Sequence, residues 1–230
     1  MTNNFLNRDN LRVYFRRILL MLLIPMAQGI YFLLNVTTKN AHDVTIFLDK
    51  LIPFNEWFII PYVFWYLYTF GVLLIMAYYD EKTYHKLLFS ILVGMFVCFA
   101  IYYIYPTTVP RPVVAPDNLL KKAVLIIYGN DRPYNCFPSI HMLDTILITM
   151  FTLRYGKGLL MKFSSVAICI TIYMSTWFTK QHSILDAIAS TVLGIALFLI
   201  FENRYVYGKL EHFVSSYSIR NKSASYQEEV

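Results

Sequence analysis

The chain has 230 residues, 57% hydrophobic, 17% aromatic and only 15% charged, with a mean hydropathy of +0.50. A soluble domain carries about 45–50% apolar and about 25% charged residues, so a water-soluble globule is excluded. Nineteen Tyr and 18 Phe against eight Gly exclude a disordered chain. The formal net charge of +6 reads as a topology signal of a polytopic membrane protein, because Lys and Arg excess marks cytoplasmic loops. It is not read as a nucleic-acid footprint.

A spanning helix needs about twenty mostly apolar residues, and six stretches meet or approach that. The first, Ile18–Val36, follows Arg16 and Arg17. It resembles a signal peptide in its flanks, but its apolar run continues past the small residues Ala27 and Gly29, which favours a retained anchor. Next come Trp57–Tyr79 and Leu87–Tyr105. The aromatics Trp57, Trp65, Tyr66, Tyr68, Tyr102, Tyr103 and Tyr105 read as an interfacial belt, with lining for a lipid tail as the sharper alternative. Thr107–Asn135 is a long polar connection containing Pro110, Pro112, Pro116 and Pro133. Pro138–Leu153 and Phe163–Phe178 are short and carry polar residues. Irregular backbone at membrane depth needs protein or a water-filled cavity beside it, so a cavity is expected there. Ser183–Phe201 is the sixth stretch, and a polar tail follows.

This gives an all-α fold, a six-transmembrane helical bundle. Its parts are an N-terminal segment, 1–17, a membrane domain, 18–203, and a tail, 204–230. Six spans put both termini on one side. Thirteen of the 20 Lys and Arg fall on that side, which is then cytoplasmic. Of the seven on the other side, Arg111, Lys121, Lys122, Arg132 and Lys180 lie in just two connections. Positive charge is concentrated there. Cys98, Cys136 and Cys169 have neither CxxC spacing nor nearby His pairs, which argues against a disulfide framework or a zinc site. His42, His85 and His212 sit in polar stretches and read as exposed.

The chemistry-bearing residues gather on that outer side. His182 and Asp186 are spaced i, i+4, so they can meet on one helical face. Such an Asp holds the imidazole tautomer and leaves the far nitrogen as nucleophile or base. Pro138 suits the first position of a helix, which leaves the amides of Ser139, Ile140 and His141 at a helix N-terminus able to take an anion. Arg111 can add a bidentate fork to phosphate oxygens. Together these suit phosphoryl transfer through a phosphohistidine, with His182 attacking and His141 protonating the leaving oxygen. The plainer readings are a structural His182–Asp186 pair, a solvated Arg111 and a Ser139 that only caps its helix. Asp144, three residues after His141, either orients it, pairs with Lys180 or is a buried structural carboxyl. Ser175 and Thr179 read as helix–helix hydrogen-bonding residues.

At these residues the chain resembles the type 2 phosphatidate phosphatase superfamily of membrane lipid phosphatases and phosphotransferases. The family's P-S-x-H motif reads Pro138-Ser139-Ile140-His141. Its S-R-x5-H-x3-D motif reads Ser175-Thr176, then His182 and Asp186. Its K-x6-R-P motif survives only as Arg111-Pro112, with Ile104 at the lysine position. The resemblance implies a nucleophile at His182, an orienting Asp186, a general acid at His141, phosphate contacts from Arg111 and Ser139, and no metal or other cofactor. It also implies a site at the outer ends of the last four helices.

Thr176 and Ile104 remove two of the family's phosphate cations. Lys180 and Arg132 are candidates to replace them. The same departures, with the run Asp131–Ser139, resemble the branch containing inositol phosphorylceramide and sphingomyelin synthases. The expected activity is hydrolysis of a phosphomonoester or pyrophosphate on a lipid in the cell membrane, from the extracytoplasmic side. Phosphotransfer to an alcohol is the alternative, and a non-catalytic lipid-binding protein with a degenerate site is the alternative of another class. The expected partner is a lipid phosphate rather than nucleic acid; oligomeric state is left open.

Overall fold

A long apolar run can satisfy its backbone away from water within its own segment only as a helix. The computed structural model, which describes residues 8–35, 40–209 and 212, is accordingly mostly helical. The long helices are α1 (Arg8–Met21), α2 (Leu23–Leu34), α4 (Ile59–Tyr79), α5 (Glu81–Ile104), α7 (Ile140–Tyr155), α8 (Leu159–Phe178) and α9 (Ile184–Glu202). Shorter pieces lie between them: β1 (His42–Asp43), α3 (Phe47–Leu51), β2 (Thr107–Thr108) and α6 (Leu119–Asn130). Lys39, residues 1–7 and residues 213–230, which include Arg220 and Lys222, lie outside the described residues.

Among the described residues, five helical stretches are long and apolar enough to cross a membrane: Arg12–Leu34, Glu56–Tyr79, α5, α8 and α9. The first is interrupted at Leu22, where α1 gives way to α2. Pro25 has no N–H to reach the Met21 carbonyl, so the helix breaks one turn before it. The segment expected at Phe163–Phe178 begins earlier, at Leu159, directly after Gly158 with φ +90, and so reaches 20 residues. It is not short. The segment expected at Pro138–Leu153 becomes α7, only 16 residues and about 24 Å long. It is not among the five.

The position of α7 explains its polarity. It packs against α4, α5, α8 and α9, and none of Ile140–Thr152 is exposed. A helix covered by protein on every side can carry hydroxyls that a lipid-facing helix would not. Thr145 Oγ1 donates to the His141 carbonyl at 2.6 Å, and Thr149 Oγ1 to the Thr145 carbonyl at 2.9 Å. Leu143, Leu147, Ile148 and Phe151 meet Leu87, Leu88, Ile91 and Met95 of α5 in the main core.

The expected connection 107–135 is not wholly irregular. It contains α6, capped by Asn118, whose Oδ1 accepts from Lys121 N–H at 2.9 Å. Val124 of α6 is buried against Ile59 and Tyr62. β1 and β2 pair in parallel, His42 with Thr107 and Asp43 with Thr108, tying both connections to the end of the bundle where α7 and α9 begin. At the opposite end Lys86 Nζ binds Glu202 Oε1 at 2.7 Å and Arg17 binds the Ala77 carbonyl at 2.8 Å. His85 is buried rather than exposed, whereas His42 is exposed and stacked on Tyr105 at 4.4 Å.

Gly194 lets α9 close on α7. A Cβ there would meet Ile146 Cγ2 at 2.4 Å, and that methyl sits on a stiff β-branched carbon. Gly194→Ala is expected to destabilise the fold by about 1–3 kcal/mol, read as a lower thermal midpoint in detergent. An unchanged midpoint would refute the close approach.

Candidate active site

The α9 N-terminus is built around one carboxylate. Ser183 caps the helix: its Oγ accepts from Asp186 N–H at 3.2 Å, and Asp186 Oδ2 accepts from Ser183 N–H at 2.8 Å. This reciprocal pair satisfies two otherwise orphaned amides. The same Oδ2 lies 3.2 Å from His182 Nδ1, and the Cys136 carbonyl lies 3.1 Å from that nitrogen. His182 therefore meets Asp186 across a capping turn, since α9 begins only at Ile184, and not along a helical face. With two acceptors at Nδ1, the proton sits there and the lone pair is left on Nε2.

His182 Nε2 lies 3.4 Å from His141 Nδ1. His141 is in the first turn of α7 and is held among aromatic rings. Its centroid is 4.3 Å from that of Trp65 and 4.9 Å from that of Tyr62. Its Nε2 is buried and has no hydrogen-bond partner among the described residues. Trp65, Tyr68 and Tyr102 are buried and so form no interfacial belt; Tyr68 hydrogen-bonds Ser165 and Tyr102 OH donates to the Pro138 carbonyl. Trp57, Tyr66, Tyr103 and Tyr105 are exposed.

Ser139 is the N-cap of α7, with its Oγ accepting from Met142 N–H at 3.4 Å. Pro138 therefore precedes the cap instead of occupying the first helical position. Ser139 keeps an extended backbone, φ −76 and ψ 122, as a capping residue does. The Ser190 hydroxyl donates to its carbonyl at 2.9 Å, locking the starts of α7 and α9 together.

Arg111 reaches the same place from the loop after β2. It donates to the Asp131 carbonyl at 2.7 Å and to Gln181 Oε1, and lies over the Tyr128 ring at 4.4 Å. Burial pushes the Tyr128 phenol up to about 12, with Arg111 opposing, so this platform stays neutral. Gln181, buried next to His182, went unread in the sequence, because an isolated Gln matches no motif. Arg111, Lys180 and His182 line one pocket of about 430 Å³, together with Lys50, Asp43 and Asp49.

Lys180, with φ 55, turns its ammonium onto the carbonyls of Asp49, at 2.9 Å, and Ile52. Burial lowers its pKa, with the Asp49 charge opposing. Arg132 is exposed, just after α6, and does not line this pocket. Neither motif departure lines the pocket. Ile104 is 78% exposed at the end of α5, and Thr176 is buried with its hydroxyl on the Tyr173 carbonyl. Asp144 is buried, and its Oδ1 has no partner among the described residues. It does not pair with Lys180. Ser175 and Thr179 bond carbonyls of their own helical turn, Ile172 and Ser175, and not a neighbouring helix. No group of three or more His, Cys, Asp or Glu able to hold a metal ion occurs among the described residues.

A helical membrane protein with a carboxylate-oriented histidine facing a second histidine, beside a cationic pocket, is the class these observations define. A family model described as PAP2 superfamily matches residues 41–200, and the chain belongs to that superfamily. Its members are generally phosphatases or phosphotransferases, so membership points to a membrane phosphatase-type function. No curated protein and no solved structure matches the chain.

Asp49 holds this site from outside the bundle. Its Oδ1 accepts from Ile184 N–H and its Oδ2 from Ile46 N–H, each at 2.8 Å. Asp49→Ala is expected to cost about 1–2 kcal/mol, as for a lost helix cap. Amide exchange should quicken at Ser183–Asp186; unchanged exchange there would refute the cap.

Proposed function

We propose that this protein is an integral membrane lipid phosphatase that cleaves a phosphomonoester or pyrophosphate through a phosphohistidine. The observation that carries the reading is the line Asp186–His182–His141, in which one imidazole is oriented by a buried carboxylate and presents its free nitrogen to another. Asp186 holds the proton on Nδ1 and stabilises the charge that develops when Nε2 bonds phosphorus. His141 gives a proton to the leaving oxygen and later takes one from water.

At 3.4 Å the two rings leave no room for a phosphoryl group. Binding substrate therefore means parting them. Arg111, positioned by Gln181, Tyr128 and Asp131, supplies fixed positive charge to the phosphate oxygens, and the Ser139 cap brings the first amides of α7 toward the same anion. Lys180 acts in this reading by long-range charge and by anchoring residues 49–52. Arg132 contributes charge at the rim.

The excess of basic residues at the other end of the bundle supports placing both termini in the cytoplasm and the site outside. In this arrangement α7 is a sixth, protein-wrapped span. The domain limits 1–17, 18–203 and 204–230 belong to the same reading.

Incubation with a phosphorus-labelled lipid phosphate should give an acid-labile, base-stable label on the purified protein, absent in His182→Ala. Equal labelling of that variant would remove His182 as the nucleophile. Because His182 must be neutral and His141 protonated, turnover should fall on both sides of an optimum. A flat profile from about pH 5 to 9 would count against paired-histidine catalysis.

A further inference from the structure

The pocket that holds Arg111 and Lys180 is walled in part by α3, Phe47–Leu51. Five residues are too few for a helix to stand by itself in water, so its neighbours must hold it. The inner side is accounted for. Asp49 is buried; its Oδ2 takes the Ile46 N–H that begins α3, and its Oδ1 takes the Ile184 N–H of α9, each at 2.8 Å. The Asp49 and Ile52 carbonyls hold the Lys180 ammonium.

The outer side is not. Phe47, Leu48 and Leu51 fall within about 100° of one another around the helix, away from Asp49, and are 72%, 51% and 63% exposed. More than half of each is left uncovered by the described residues, and an uncovered apolar patch marks a contact surface for a partner or a membrane. The height of α3 in the bundle decides between the two. α8 runs 20 residues to Phe178, about 30 Å, which is the thickness of the hydrocarbon layer. The chain around α3 meets that end directly: the Phe178 carbonyl takes the Asn55 N–H at 2.9 Å, and the Phe58 ring stacks on that of Phe178 at 4.3 Å. Residues 46–58 therefore lie level with the ends of α8, α9 and the Glu56–Tyr79 span, where hydrocarbon gives way to headgroups. Trp57, also exposed, is of the type concentrated at that boundary. An amphipathic element at such a depth lies in the interface with its apolar face toward the acyl chains.

We propose that α3 is seated in the bilayer interface, with Phe47, Leu48 and Leu51 among lipid, and that this seating holds residues 49–52 against Lys180 and the start of α9. The partner is the lipid surface itself. α3 works as a strap: the membrane fixes its outer face, and its inner face fixes the helix end next to His182. The seating does not depend on the phosphohistidine reading.

The test uses the full-length protein in nanodiscs of phosphatidylcholine and phosphatidylglycerol. A nitroxide on Leu48→Cys should be relaxed more by oxygen, which partitions into lipid, than by a water-soluble nickel chelate. Cys98, Cys136 and Cys169 are buried, and wild type treated with the same reagent supplies the background. Preference for the nickel chelate would put the face in water, and shielding from both would put another segment or a second copy on it; either overturns the seating. In the triple variant Phe47→Ser, Leu48→Ser, Leu51→Ser, amide exchange at Ser183–Asp186 should quicken about fivefold, as for a lost helix cap, with exchange in the core of α5 unchanged. Should α5 quicken as well, the single variant Leu48→Ser decides by the same comparison. Unchanged exchange at Ser183–Asp186 overturns the strap. Lipid contact at position 48 in a protein that takes up no phosphoryl label keeps the seating and overturns the phosphohistidine reading alone.

Discussion

A buried carboxylate depends on the protein for its hydrogen bonds, and Asp186 gathers them on one oxygen, Oδ2, while Oδ1 has no partner among the described residues. Its Oδ2 receives the Ser183 amide that starts α9 and the imidazole that precedes it. The requirement that folds the helix end and the requirement that orients His182 are thus one requirement. Most of this end of the bundle follows from it. Cys136 brings its carbonyl to His182, Ser190 ties Ser139 to α9, and Asp49 completes the capping of Ile184. Removing Asp186 would unpick a helix terminus and the orientation of His182 together.

Around that centre the loops hold charge apart. Arg111 is gripped by three neighbours and Lys180 by two carbonyls, so neither is a freely swinging surface cation. Charge held in this way needs little reorganisation to meet an anion. Asp131 contributes to both sides at once: its backbone carbonyl holds Arg111, and its carboxylate collects Tyr31 and Asn35. This one residue couples α2 to the cationic pocket.

Helix positions were legible where apolarity had to face lipid, as in α4, α5 and α9. Legibility failed where protein replaced lipid as the surroundings. α6 was hidden because prolines before it suggested a loop, although Asn118 followed by apolar residues at Leu120, Val124 and Ile127 is a helix-start pattern. His182, Asp186 and His141 could be picked out because ionisable residues within or beside apolar segments are rare. Gln181, Asp49 and Trp65 could not. Their roles come from contacts spanning tens of residues along the chain, which no local spacing records.

The enclosure of α7 has a mechanical consequence. A bilayer thicker or thinner than the protein's apolar height acts on helices that touch it, through tilt and stretch. With Ile140–Thr152 shielded throughout, that load falls on the outer helices, α9 among them, and not directly on the helix bearing His141. Any thickness-dependent change in the spacing of the two imidazoles therefore enters through α9, whose exposed face carries Ile188, Val192 and Leu199, and not through the helix that bears His141.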